Sequence, residues 1–120
     1  HIMIKNRTIL GLTEMITIVG PNGSEKVIAR IDSGATASSI DLKLSEKLSL
    51  GPITRTKIVK SASGTKRRPI VIARVKIGKQ DIEGEFTLAD RHHMTYPVLI
   101  GQNVLKEGNF LIDPNKEVIK

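Results

Sequence analysis

A carboxylate, a hydroxyl and a glycine stand together at Asp32-Ser33-Gly34, directly after the apolar run of Val27, Ile28, Ala29 and Ile31. Strand interiors disfavour Asp and Gly, so the chain leaves a strand here and turns tightly. Gly34 admits backbone angles closed to other residues and lets a second backbone come close. Ala35, also small, follows it. A carboxylate is thus held at the end of a rigid strand, with room beside it for a ligand or another chain, and a group so placed can give or take a proton. Taken by itself, the turn reads more simply as an Asx turn in which Asp32 only bonds nearby N–H groups.

The remaining candidates for chemistry are few. There is no cysteine, which excludes disulfides and thiolate metal sites and suits a reducing compartment. Apart from His1, the histidines are the neighbours His92 and His93. Neighbours on an extended loop point apart and make poor joint ligands, and no His-Glu-x-x-His occurs, so no metal is expected. No Gly-x-x-x-x-Gly-Lys phosphate loop is present, and no cofactor is expected.

The 120 residues suit one domain with a single core. Hydrophobic residues are 39% of the chain and aromatics only 2%, so that core must be built from Ile, Val and Leu. Frequent β-branched residues and short periodic segments favour an all-β domain. No apolar run approaches a membrane span and no signal peptide is visible, which makes a cytoplasmic location the expectation. His1-Ile2 before Met3 reads as an expression remnant, leaving 3–120 as the domain.

Thr8 to Leu12, Glu14 to Val19 and Lys26 to Ile31 read as strands, the last two joined across Gly20-Pro21-Asn22-Gly23 into a hairpin that delivers Asp32 to one end of a sheet. Asp41 is placed to cap one or two helical turns through Leu42, Leu44 and Leu48, ended by Gly51-Pro52. Ile53 to Lys60 and Pro69 to Ile77 are extended, with Ser61-Ala62-Ser63-Gly64-Thr65 as the flexible tip between them. Asp81 to Leu88 alternates as a strand should. A polar loop at Asp90 to His93 leads to an apolar strand, Pro97 to Ile100, ended by Gly101. A short helix from Gln102 to Lys106 follows, then strands at Asn109 to Ile112 and Glu117 to Ile119 around an Asp113-Pro114-Asn115 turn. The total is eight or nine short strands and one or two short helices.

In this order the parts resemble the retropepsin type of aspartic protease: Asp-Ser-Gly-Ala after an apolar strand, a flexible hairpin, then Leu99-Ile100-Gly101 before a short helix. Five segments are more specific: Arg30 to Ala35, Lys60 to Gly64, Glu85 to Arg91, Tyr96 to Gly101 and Phe110 to Pro114. Together they resemble the retropepsin-like family that carries the label ATP-dependent zinc protease, some members of which are associated with ATP-grasp ligases that add glutamates to a ribosomal protein. The resemblance implies a closed retropepsin-like β-barrel with Asp32 as the catalytic residue. Ser33, Gly34, Ala35, Ile100 and Gly101 would support it, and Ser61 to Thr65 would form the flap. The zinc and ATP of the label find no matching motif in these residues. Such enzymes set two carboxylates side by side to share one proton, and this chain holds a single Asp-Ser-Gly. Asp90-Arg91 and Asp113-Pro114 lack its glycine and apolar lead-in. The resemblance therefore implies a homodimer with one Asp32 from each chain.

Charge adds a partner class. The net charge is +7, and no acidic residue occurs between Lys47 and Gln80, a stretch holding Arg55, Lys57, Lys60, Lys66, Arg67, Arg68, Arg74, Lys76 and Lys79. Such a face attracts anions. Lys60, Lys66, Arg67 and Arg68 flank the expected flap, which points to an acidic peptide substrate such as a glutamate-rich tail. Two other readings compete. One is a retropepsin-fold binding or scaffold domain that is catalytically idle, favoured by a flap with no aromatic or apolar tip. The other is a basic barrel for nucleic acid, disfavoured because no aromatics interleave the basic run and no nucleic-acid motif is present.

Overall fold

The computed structural model describes residues 6–118, except the side chain of Ser61. His1-Ile2, which the sequence reading sets apart from the domain, lie outside the described residues. Among the described residues there are nine strands and two short helices: β1 Thr8–Leu10, β2 Thr13–Gly20, β3 Gly23–Ile31, β4 Ser38–Asp41, α1 Leu42–Lys47, β5 Ile53–Ser61, β6 Gly64–Ile77, β7 Gln80–Ala89, β8 Val98–Ile100, α2 Gln102–Leu105 and β9 Phe110–Ile112.

Six strands run in the order β2-β3-β8-β4-β7-β6, and β2 pairs again with β6 to close them into a barrel. The interior is aliphatic, as the composition requires. Ile16, Ile18, Ile40, Val71, Val75, Ile77, Val98 and Ile100 are fully buried there, and Phe86 is the one large aromatic among them. Alternation does the sorting. In β6, Val71, Ala73, Val75 and Ile77 face inward while Ile72, Arg74 and Lys76 face out. β5 pairs only with β6 and stands outside the closed ring as the far arm of a hairpin. β1 and β9 form a separate parallel pair.

The β2–β3 hairpin pairs from Gly20↔Gly23 back to Thr13↔Arg30 and brings Asp32 to a sheet end, as its sequence predicts. Four local expectations change. Ser38–Asp41 is a strand, lying parallel to β7 and antiparallel to β8. Asp41 occupies the N-cap position of α1 but makes no side-chain cap bond, and its carboxylate instead accepts the Arg91 N–H at 2.8 Å. The hairpin tip narrows to Ala62-Ser63 because β6 begins at Gly64 rather than Pro69. Glu117 and Val118 are not in a strand, and Ile119 lies outside the described residues. There the chain turns at Pro114-Asn115, and the ammonium of Lys116, the next residue, bonds the Ile9 carbonyl at 2.8 Å and pairs with the buried Glu14 carboxylate. That ion pair anchors the segment where a strand was expected.

Candidate active site

β3 and β4 both flank β8, so residues 32–37 must cross the end of β8 to pass from one to the other. This crossing dictates Gly101. A Cβ there would sit 2.2 Å from the Ala37 carbonyl oxygen and 2.8 Å from that of Ala35. No side chain fits beneath the loop.

The loop is pinned along its length. The Asp32 N–H donates to the Ile100 carbonyl at 2.8 Å, and the Ala35 N–H donates to the Asp32 carbonyl at 3.2 Å. The Ala35 and Thr36 carbonyls accept the N–H groups of Gln102 and Asn103, supplying partners to the otherwise unpaired first turn of α2. The Gln102 side chain donates to the Ser33 carbonyl at 2.8 Å. Below, the buried Ser38 hydroxyl accepts the Gly101 N–H at 2.9 Å and donates to the Asn103 side-chain oxygen at 2.7 Å. The Asn103 amide then donates to the Glu85 carbonyl at 2.9 Å. Ser38, Gln102 and Asn103 were not singled out by sequence. Polar residues at the start of a helix that follows an apolar-apolar-Gly strand were the available signal.

Asp32 is half-buried, and its Oδ1 accepts the Gly34 N–H at 3.0 Å. The Asx turn expected as the simple reading is therefore present, and it orients the carboxylate. A Cβ on Gly34 would lie 3.3 Å from that oxygen. Ser33 and Gly34 are exposed at the apex, Ala35 is half-buried and Ile100 is fully buried in the core.

The β5–β6 hairpin rises beside this loop. Directly paired residues share a face, and faces alternate along each strand. Arg55↔Ile70, Lys57↔Arg68 and Val59↔Lys66 thus share one face, and Thr56↔Pro69, Ile58↔Arg67 and Lys60↔Thr65 the other. Arg55, Lys57 and Ile70 line a cavity of about 230 Å³ together with Thr36 and Ala37 of the loop, Glu85, Thr87 and Asn103. The first face is therefore the one turned to the loop. Of the four flap cations singled out by sequence, Lys66 and Arg68 lie on it, whereas Lys60 and Arg67 lie on the opposite face. Arg55 and Lys57, on the cavity itself, were not singled out.

Electrostatics divide the cations further. Arg55 holds Glu85 through Nη2 at 2.8 Å and Nε at 3.3 Å. Hydrogen bonding to Arg55 draws the Glu85 carboxyl below its ordinary range, and the same bond raises Arg55. Lys57, Lys66, Arg67 and Arg68 have no ion pair among the described residues. Arg91 is buried, donating to the Tyr96 carbonyl at 3.1 Å and the Ser39 hydroxyl at 2.9 Å. Burial lowers its pKa, partly opposed by Asp41. It clamps the loop after β7 to β4.

His92 and His93 depart from expectation. They sit on a turn rather than an extended loop, and their rings lie 3.6 Å apart. His92 pairs with Asp90, which lowers the Asp90 pKa. Among the described residues no group of three or more His, Asp or Glu side chains could hold a metal ion.

A closed barrel with a Gly-supported Asp-Ser-Gly loop and a hairpin beside it defines a retropepsin-like domain. Solved structures share that fold. A Legionella pneumophila protein of unknown function matches with a TM-score of 0.68 and 20% identity over 95% of this chain and 98% of its own. The EIAV protease, solved in complex with an inhibitor, matches at 0.61 and 16% identity over 89% and 92%. Simian foamy virus protease matches at 0.57 and 20% identity over 77% and 89%. Residues 42–120 match the family model RimB-like, described as retropepsin-like aspartic endopeptidase RimB, and the chain belongs to that family. The matched region begins beyond the Asp32 loop. No curated protein matches.

Proposed function

We propose that residues 3–120 act as one aspartic peptidase domain that works as a homodimer, with one Asp32 carboxylate from each chain. Like charges about 3 Å apart cannot both ionise, so the pair would share a proton. One carboxylate would take a proton from water while the other donates a hydrogen bond to the scissile carbonyl. The observation that carries this reading is the loop itself. It presents a half-buried, oriented carboxylate behind an exposed Ser33-Gly34 apex. A two-fold mate can approach that apex closely, and the exposed Ser33 hydroxyl is available to brace the two loops. The flap and its cations favour an acidic peptide as substrate. A cytoplasmic site of action fits a chain without cysteine, and among the described residues no helix is long and apolar enough to cross a membrane.

A second reading keeps the fold and removes the chemistry, leaving a binding domain. The flap tip favours it: Ala62-Ser63 offers no large apolar group to close over a peptide.

A peptidase assay across pH 3–8, on a peptide library that includes oligoglutamates, tests the choice alongside sedimentation. Cleavage by the native chain that falls by roughly 10³-fold or more in Asp32→Asn supports the peptidase. A stable dimer with no cleavage at any pH supports the binding domain. A monomer that cleaves would remove the shared-proton mechanism.

A further inference from the structure

The cavity beside the Asp32 loop carries a defined charge. Arg55 and Lys57 contribute two positive charges to its wall and Glu85 one negative, which leaves one positive charge. The three are not equivalent. Glu85 occupies the Arg55 fork with two nitrogen–oxygen contacts and directs it along the wall. Lys57, the next residue of β5 on the same face, has no carboxylate partner among the described residues. Two buried residues also line it, the apolar Ile70 and the hydroxyl-bearing Thr87. A buried isoleucine in the same cavity as an uncompensated ammonium suits a side chain with methylene groups and a terminal carboxylate.

We propose that this cavity is the subsite for a single acidic side chain of the substrate, with Lys57 as its selecting cation. Glu85 limits the site to one charge by neutralising Arg55. This rests on the peptidase reading of the cleft and assigns its acid preference to residues 55, 57 and 85 rather than to the general positive field of the flap. A diffuse field would weigh Lys57 and Lys60 alike, since both lie on β5. A built subsite separates them, because they lie on opposite faces.

The test is calorimetric binding of an oligoglutamate peptide and an oligoglutamine peptide of equal length, at low salt. The protein is the full chain carrying Asp32→Asn. Lys57→Met in that background should weaken oligoglutamate binding roughly tenfold, the scale of one charge-assisted hydrogen bond, and leave oligoglutamine unchanged. Lys57→Arg should restore most of the loss. Lys60→Met should change either peptide less than about twofold, as for a remote surface charge. Glu85→Gln should tighten oligoglutamate severalfold by releasing Arg55. Equal losses in Lys57→Met and Lys60→Met would overturn the subsite in favour of a diffuse field. So would a Glu85→Gln variant that binds no more tightly, or a parent protein that binds the two peptides alike. Failure of the peptidase reading would show separately, as undiminished cleavage in Asp32→Asn or none in the native chain.

Discussion

β6 is one continuous strand with two different electrostatic characters. In its barrel half, Arg74 lies opposite Glu83 and Lys76 opposite Asp81, and Arg74 also approaches Asp81 at 3.7 Å. In its hairpin half, Arg68 lies opposite Lys57, while Lys66 and Arg67 face Val59 and Ile58. Opposite charges across a strand pair contribute roughly 0.2–1 kcal/mol, and like charges directly opposite cost a similar amount. The barrel half therefore gains a little from its cations and the hairpin half loses a little. The barrel half also buries Val71, Val75 and Ile77 completely, whereas Ile58 on the hairpin is 53% exposed. Stability is concentrated in the half that builds the barrel. The other half leaves Lys66, Arg67 and Arg68 without an ion pair among the described residues.

Truncation gives the largest contrast between the halves. Ile77→Ala should cost about 2–5 kcal/mol, because a fully buried isoleucine leaves a cavity. Arg67→Ala should stay within about 0.5 kcal/mol, as expected of an exposed residue without a partner. Urea unfolding monitored by circular dichroism would check both. Comparable losses would mean that the hairpin is an integral part of the folding unit.

Charge reversal sharpens the comparison on function. Arg68→Glu places a carboxylate directly opposite Lys57 and neutralises it, so it should raise KM for acidic peptides roughly tenfold, whereas Arg67→Glu, on the opposite face, should raise it no more than about threefold, with neutral peptides unaffected by either. Equal effects would show that the face has no bearing on the field. A smaller effect is expected on the hairpin itself. Lys57→Glu places opposite charges where Lys57 and Arg68 now repel, so amide exchange in residues 55–68 should slow by a few-fold, in line with a few tenths of a kcal/mol. Faster exchange would mean that the like-charge pair does not strain the hairpin.

The barrel and the Asp32 loop were legible because their signals are local. An apolar run interrupted by Asp-Ser-Gly marks the loop, and period-two alternation marks β6 and β7. β4 was not legible. Ser38 and Ser39 carry no apolar pattern, and Ser38 is buried on the strength of hydrogen bonds to Gly101 and Asn103, which come from far along the chain. The faces of β5 were hidden for a different reason. The register shifts between Ile53↔Val71 and Arg55↔Ile70. Without that bulge Arg55 would pair with Pro69, and both Arg55 and Lys57 would turn away from the cavity. A single irregularity in pairing decides which cations meet the cleft, and composition does not encode it. The histidines misled for a related reason, because a turn brings together rings that an extended loop would separate.

The smallest effect is expected at the junction between the two halves, where Arg55 of the hairpin holds Glu85 of the barrel. The Glu85 carboxyl is drawn below its ordinary value, chiefly by its hydrogen bond to Arg55. A group with a depressed folded pKa stabilises the fold above its unfolded pKa and loses that contribution as pH falls through the folded value. The tether should therefore be complete at neutral pH and weaken only below the normal glutamate range, about 4.3. Exposure and salt screening keep its contribution small. In an NMR titration, amide shifts around Arg55 and Ile70 should follow the Glu85 carboxyl in the acid range. Glu85→Gln should abolish the transition at Arg55. If the transition at Arg55 persists in that variant, Glu85 does not govern the junction, and the hairpin is held to the barrel by its backbone pairing alone.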